Sequence, residues 1–102
     1  MDLVTKKSRD NVVINVIGNI KSIVDGQMIK DAIISAFQDN REVSIELCIK
    51  DSFIITSSVI GFLIKSIKID KMPLYVSIGS QELYEMLVEM SLIEAMNIRK
   101  VL

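Results

Sequence analysis

Apolar and polar positions alternate in two different periods along this chain, and the changes of period mark its elements. Residues 2–7, DLVTKK, suit a short edge strand, and Ser8-Arg9-Asp10-Asn11 reads as a turn. Val12, Ile14 and Val16 alternate with Val13, Asn15 and Ile17, the period of a strand, which ends near Gly18. Over 27–38 the period becomes helical. Ile29, Ile33, Ala36 and Phe37 fall on one stripe, with Asp25 as the candidate N-cap.

The alternation returns over 42–50, EVSIELCIK, with Val43, Ile45, Leu47 and Ile49 on one side. Ser44, Glu46, Cys48 and Lys50 stand on the other, so this strand is expected to be covered on one face and mostly wet on the other. Leu74, Val76 and Ile78 against Tyr75 and Ser77 repeat the pattern, just after the single proline, Pro73. Ser80 is a candidate cap for a helix over 81–91, with Glu82 in its first turn and Leu83, Leu87 and Met90 as its core stripe. A short helical turn near Ile93–Met96 and an edge strand at 98–101 complete the pattern. The predicted order is β-β-α-β-α-β-α. It belongs to an α/β fold with a mixed sheet of about four to five strands and helices stacked on one face.

The segment between the second and third of the alternating strands is the most informative. Ile54-Ile55 is followed by three hydroxyl residues, Thr56, Ser57 and Ser58, and then by a helical pattern over 57–68. Ile60, Leu63, Ile64 and Ile67 fall at i, i+3, i+4 and i+7 and define its expected buried stripe. At about 100° per residue, Phe62 falls nearly opposite that stripe, with Ser58 and Lys65 on the same outward side and Val59 on a flank. An outward Phe beside a helix start suits partner binding, and packing under a neighbouring element is the alternative. A helix start leaves backbone N–H groups without partners, and Thr56 or Ser57 could supply the cap. The same position tolerates an added phosphate, which brings about two negative charges.

Composition narrows the function. The 102 residues fit one domain, 1–102, half of them hydrophobic and a quarter charged. Twelve basic and 13 acidic residues nearly cancel, which argues against nucleic acid as a partner. No apolar run approaches the length of a membrane span, so direct membrane insertion is not expected. MDLVTKKSRD lacks an apolar signal segment, and a cytoplasmic protein is expected. Cys48 is the only cysteine and there is no histidine, so Cys48 reads as a buried structural thiol and no metal site or catalytic pair can be named. Gly18, Gly26, Gly61 and Gly79 are scattered and form no phosphate-binding loop. No cofactor and no enzymatic activity are expected.

An alternating strand, a loop, and a hydroxyl pair opening a helix with Gly in its second turn resemble the STAS domain, in particular the bacterial anti-sigma factor antagonists. The signature there is Asp-Ser-Ser/Ala-Gly-Leu-Gly, and the aligned residues are Thr56-Ser57-Ser58-Val59-Ile60-Gly61. Val16–Asn19, VIGN, resembles the family's strand ending in Gly, and Leu87–Ile93 is similar to its third-helix ending. Thr56 stands where the signature has Asp, Val59 where it has Gly, and Ser91 where Gly is frequent.

The resemblance implies a phosphorylation switch. Ser57 is the implied phosphoacceptor, with Ser58 as fallback. The implied kinase is a serine protein kinase of the histidine-kinase-like ATPase fold, and a PP2C-type phosphatase reverses the step. The unphosphorylated form would bind its partner, often the kinase itself, and free or commit a downstream regulator. Thr56, Ser58, Val59, Phe62 and Lys65 are the expected partner-binding residues. The alternative is a STAS subunit docked constitutively on a larger complex, such as the ATPase of a lipid transporter.

Overall fold

The computed structural model describes residues 1–39 and 43–101. Its elements run β1 (Asp2–Lys7), β2 (Asn11–Ile17), α1 (Ile23–Asp39), β3 (Ser44–Ile49), α2 (Ser57–Lys68), β4 (Leu74–Ile78), α3 (Gln81–Glu89) and β5 (Ile98–Lys100). Glu42, the expected first residue of the third strand, lies outside the described residues.

The sheet order is β1-β2-β3-β4-β5; β1 pairs antiparallel with β2, and every other pair is parallel. The strands after β2 are added in sequence order, each across one helix. Right-handed crossovers that all step in one direction place their helices on one face. Val12, Ile14 and Val16 of β2, Ile45, Leu47 and Ile49 of β3, and Leu74, Val76 and Ile78 of β4 point to that face. They share one core with Ile29 and Ile33 of α1, Leu63 of α2, and Leu83 and Leu87 of α3. The α/β architecture is therefore the one the periodicity predicts. Among the described residues no helix is long and apolar enough to cross a membrane.

Among the described residues the second face carries no helix, yet it is drier than expected at its centre. Cys48 and Ser77, paired across β3 and β4, are only 5% and 2% exposed. Val13, Asn15, Lys50 and Val101 surround Cys48 in a shallow depression of about 470 Å³, and burial pushes the Cys48 thiol pKa up. Glu46 accepts hydrogen bonds from the Tyr75 hydroxyl (2.9 Å) and the Ser77 hydroxyl (2.8 Å), so these half-dry polar groups are satisfied. Arg99 lies 3.9 Å from the centre of the Tyr75 ring.

Three expectations about helix ends need correction. Helix α1 starts at Ile23, four residues before the expected start at 27, and Asp25 is not its N-cap. Ser22 Oγ accepts from Asp25 N (3.0 Å), while the Asp25 carboxylate reaches back to Ser22 N (3.2 Å) and Lys21 N (3.0 Å). This reciprocal pair is a capping box, with Asp25 as its third helical residue. The Asp25 pKa is lowered, chiefly by the Lys21 amide.

Helix α3 ends at Glu89, and Met90, expected in the core stripe, is 50% exposed. The helix terminates because Ser91 takes φ +58; Ser91 N donates to Val88 O and Leu92 N to Leu87 O, both at 3.0 Å. That bond pair turns the chain out of the helix before Met90 completes the stripe. Residues 93–97 are hydrogen-bonded turns rather than a helix, and they bury Met96 completely.

Candidate functional site at the start of α2

Two loops meet beyond the C-terminal ends of β2 and β3, the end of a parallel sheet where α/β proteins commonly place their sites. Gly18 turns the first loop with φ +89, a value that favours glycine, and its N–H donates to Asp51 Oδ1 (3.1 Å). Ile20 N donates to the fully buried Ser52 hydroxyl (3.1 Å), which donates onward to Ile54 O (2.7 Å). Phe53 N donates to Asn19 Oδ1 (3.1 Å). The segment leading into α2 is thus tied at three points to the segment leading into α1.

Thr56 is the N-cap of α2. Its backbone is extended (φ −79, ψ 151) and its hydroxyl accepts from Val59 N at 3.3 Å. Ser57 and Ser58 are the first two helical residues, and both are exposed. The Ser57 hydroxyl has no hydrogen-bond partner among the described residues. Ser58 Oγ accepts a 2.7 Å hydrogen bond from Lys30 Nζ of α1. A cavity of about 140 Å³ opens between the two helix starts, lined in part by Lys21, Ile23, Lys30, Thr56 and Ser58.

The helix is rotated about its axis relative to the sequence expectation. Val59 and Leu63 are fully buried, Ser66 is 1% exposed, and Ile60 and Ile67 are also buried. Ile64, expected in the buried stripe, is only partly buried. The buried arc centres on Leu63, and at about 100° per residue Phe62 and Ile64 flank it symmetrically. Phe62 is accordingly half-buried and packed against the core, not turned outward. Val59 is inside, not on a flank.

The reason is that α2 packs on two neighbours. The sheet covers one side, while α1 covers the side carrying Val59, where Gly26 permits close approach. Of the expected partner-binding residues, the structure therefore leaves Ser58 and Lys65 exposed and Thr56 partly so, and withdraws Val59 and much of Phe62. Lys65 pairs with Asp70 at 3.1 Å.

Periodicity did not point to the apolar residues that the structure does expose near this site. Ile23 is 92% exposed beside the cavity, and Phe53 and Ile54 protrude from the loop preceding Thr56. One sequence signal was available: Phe53-Ile54-Ile55 is an apolar run too short and too unpatterned for a strand, directly before a helix cap. Lys30 gave no signal, because nothing local distinguishes it from any solvated lysine.

No family model matches the chain, and no curated protein matches it. Among solved structures, the NMR structure of the protein TM1081 is similar with a TM-score of 0.70. The match covers 95% of this chain and 79% of that one at 17% sequence identity. At that identity the similarity shows a shared fold.

Proposed function

We propose that this protein is a cytoplasmic, phosphorylation-controlled binding regulator resembling the STAS-type anti-sigma factor antagonists of bacterial partner-switching pathways. Ser57 is the phosphoacceptor in this reading, modified by a serine protein kinase of the histidine-kinase-like ATPase fold. A PP2C-type phosphatase restores the hydroxyl. The chain itself is not an enzyme and needs no cofactor; its output passes to a downstream regulator.

One observation carries the reading: Ser57 is exposed at the first position of α2 with its hydroxyl free of hydrogen bonds among the described residues, while Thr56 supplies the cap. A phosphate on Ser57 would cost no structural hydrogen bond. It would add about two negative charges at the helix start that follows exposed Phe53 and Ile54 in the chain, and so oppose docking of an apolar or acidic surface.

The test is to purify the protein from the cells that express it and map phosphate on the peptide 51–65 by mass spectrometry. Phosphate on Ser57 is expected. Ser57→Ala should stay folded and hold its partner constitutively, whereas Ser57→Asp should bind it weakly. A stably bound partner with no phosphate on Thr56, Ser57 or Ser58 would overturn the switch. It would favour constitutive docking on a larger complex, such as a lipid-transporter ATPase.

A further inference from the structure

The outer edge of β1 is unpaired among the described residues, since β1 stands at the end of the sheet and bonds to β2 alone. The hairpin decides which of its backbone groups face outward. Ser8 N donates to Asn11 O at 2.8 Å, so these two form a hydrogen-bonded antiparallel pair, and by alternation Lys6–Val13 and Val4–Asn15 do too. Asp2, Val4 and Lys6 therefore turn their N–H and C=O groups to β2, while Leu3, Thr5 and Lys7 turn theirs to solvent. Side chains alternate as well. Asp2, Val4 and Lys6 lie on the sheet face away from the helices, beside Ile17, Asn15 and Val13 respectively, and Leu3 packs against the core on the helix side.

Lysines usually defend such an edge against pairing, and Lys6 and Lys7 stand on this one. Their defence is incomplete against a second copy of β1. Two copies related by a two-fold axis run antiparallel, and the outward groups of Leu3, Thr5 and Lys7 can pair only with the same set. With the axis at Val4, Leu3 meets Thr5 of the second copy and exchanges both bonds with it. Val4 then faces Val4, and Asp2 faces Lys6 on both sides of the axis. An axis at Thr5 sets Lys6 against Val4, and one at Leu3 sets Asp2 against Val4. Axes further out oppose Lys6 to Lys6 or Asp2 to Asp2. The Val4 register alone matches the charges. Asp2 and Lys6 are available for it, being exposed and without a hydrogen bond or ion pair among the described residues. Val4 is 42% exposed and would be covered by its own copy. Helix α1 packs over β2 and β3, and Thr5 and Lys7 are exposed on the helix side of β1, which leaves room for the added strand.

We infer that β1 is a self-pairing edge, through which two copies of this chain join in the Val4 register. The two sheets become one, and the two-fold body presents the start of α2 twice. The contact is short, so the association is weak and concentration-dependent. It uses none of the residues assigned to the switch, and it stands whether or not Ser57 is phosphorylated.

Sedimentation of the full chain from micromolar to millimolar concentration should show monomer passing to dimer, more readily at low salt than at high. Asp2→Lys should raise the dissociation constant about tenfold or more, and adding Lys6→Asp to it should restore association. Thr5→Pro removes an outward N–H without touching the bonds to β2, and should leave a folded monomer by circular dichroism. In a Cys48→Ala background, Val4→Cys places two thiols in a non-hydrogen-bonded pair with Cα atoms about 4.5 Å apart, and should oxidise to a linked dimer. Lys6→Cys, opposite Asp2 in this register, should not. A chain that stays monomeric throughout would overturn the inference and leave the edge to a strand of another protein. So would a dimer indifferent to Thr5→Pro, or equal linking at positions 4 and 6.

Discussion

Gly26 of α1 lies against Val59 of α2: a Cβ placed on Gly26 would stand 3.2 Å from Val59 Cγ2 and 4.0 Å from Thr56 Oγ1. The missing side chain lets the two helices close on each other, and Val59 fills the space. Thr56, Ser57 and Ser58 follow directly from that contact, since they precede Val59 by one to three residues.

Gly26→Val should therefore overfill the seam and cost about 1–3 kcal/mol, even though Gly is the poorer helix former. Val59→Ala should cost about 2 kcal/mol by removing buried methyl groups. The double variant should lose less than the sum of the two, because the smaller residue makes room for the larger. Urea unfolding of all four proteins measures this; additivity within about 0.5 kcal/mol would mean that the two residues do not touch.

Phe62 and Leu63 separate the core from its flank. Leu63 is fully buried, and Leu63→Ala should cost about 2–5 kcal/mol. Phe62→Ala should cost less, about 1–2 kcal/mol, because part of the ring is already in water. An unchanged denaturation midpoint for Phe62→Ala would return Phe62 to the outward face that the helical spacing suggested.

Ser91 sits at the left-handed position that ends α3, with φ +58 and both terminating hydrogen bonds in place. Glycine takes this conformation without a Cβ penalty, so Ser91→Gly should stabilise the protein by about 1 kcal/mol. Its melting temperature should rise by roughly 4–8 °C. A fall would show that the serine side chain contributes something the backbone geometry does not require.

Tyr75 should make the protein sensitive to alkali. Burial raises its pKa above the ordinary phenol value, helped by the hydrogen bond to Glu46 and the Glu46 charge, while Arg99 opposes the rise. A group whose folded pKa is raised contributes stability that is fully present below its unfolded pKa. That stability is lost as pH climbs from there through the folded value. Tyrosinate absorbance in a Tyr84→Phe background, where Tyr75 alone titrates, should show late ionisation. Glu46→Gln should bring it earlier; no movement would remove Glu46 from the cause.

The strands and the helix stripes were legible because each depends on a local repeat. Val12-Ile14-Val16, Ile45-Leu47-Ile49 and Leu74-Val76-Ile78 all face the core as their alternation predicts. Ile29, Ile33 and Ala36 do so at helical spacing, and Ser80 caps α3 as expected, accepting from Leu83 N at 3.3 Å. The hydroxyl cluster at 56–58 also announced a helix start, since unpaired N–H groups favour such residues wherever a helix begins.

Only the tertiary structure decided how α2 is turned and what surrounds each hydroxyl. A helical repeat tells which residues share a face, but not whether one neighbour or two cover it. The pressure of α1 at Gly26 took Val59 inside and drew Phe62 part of the way. Ser57 and Ser58 are nearly indistinguishable in a linear reading, because the difference between them comes from Lys30, 28 residues away. A side chain delivered from another helix has no local period to betray it; the relation exists only once the sheet has brought α1 and α2 together.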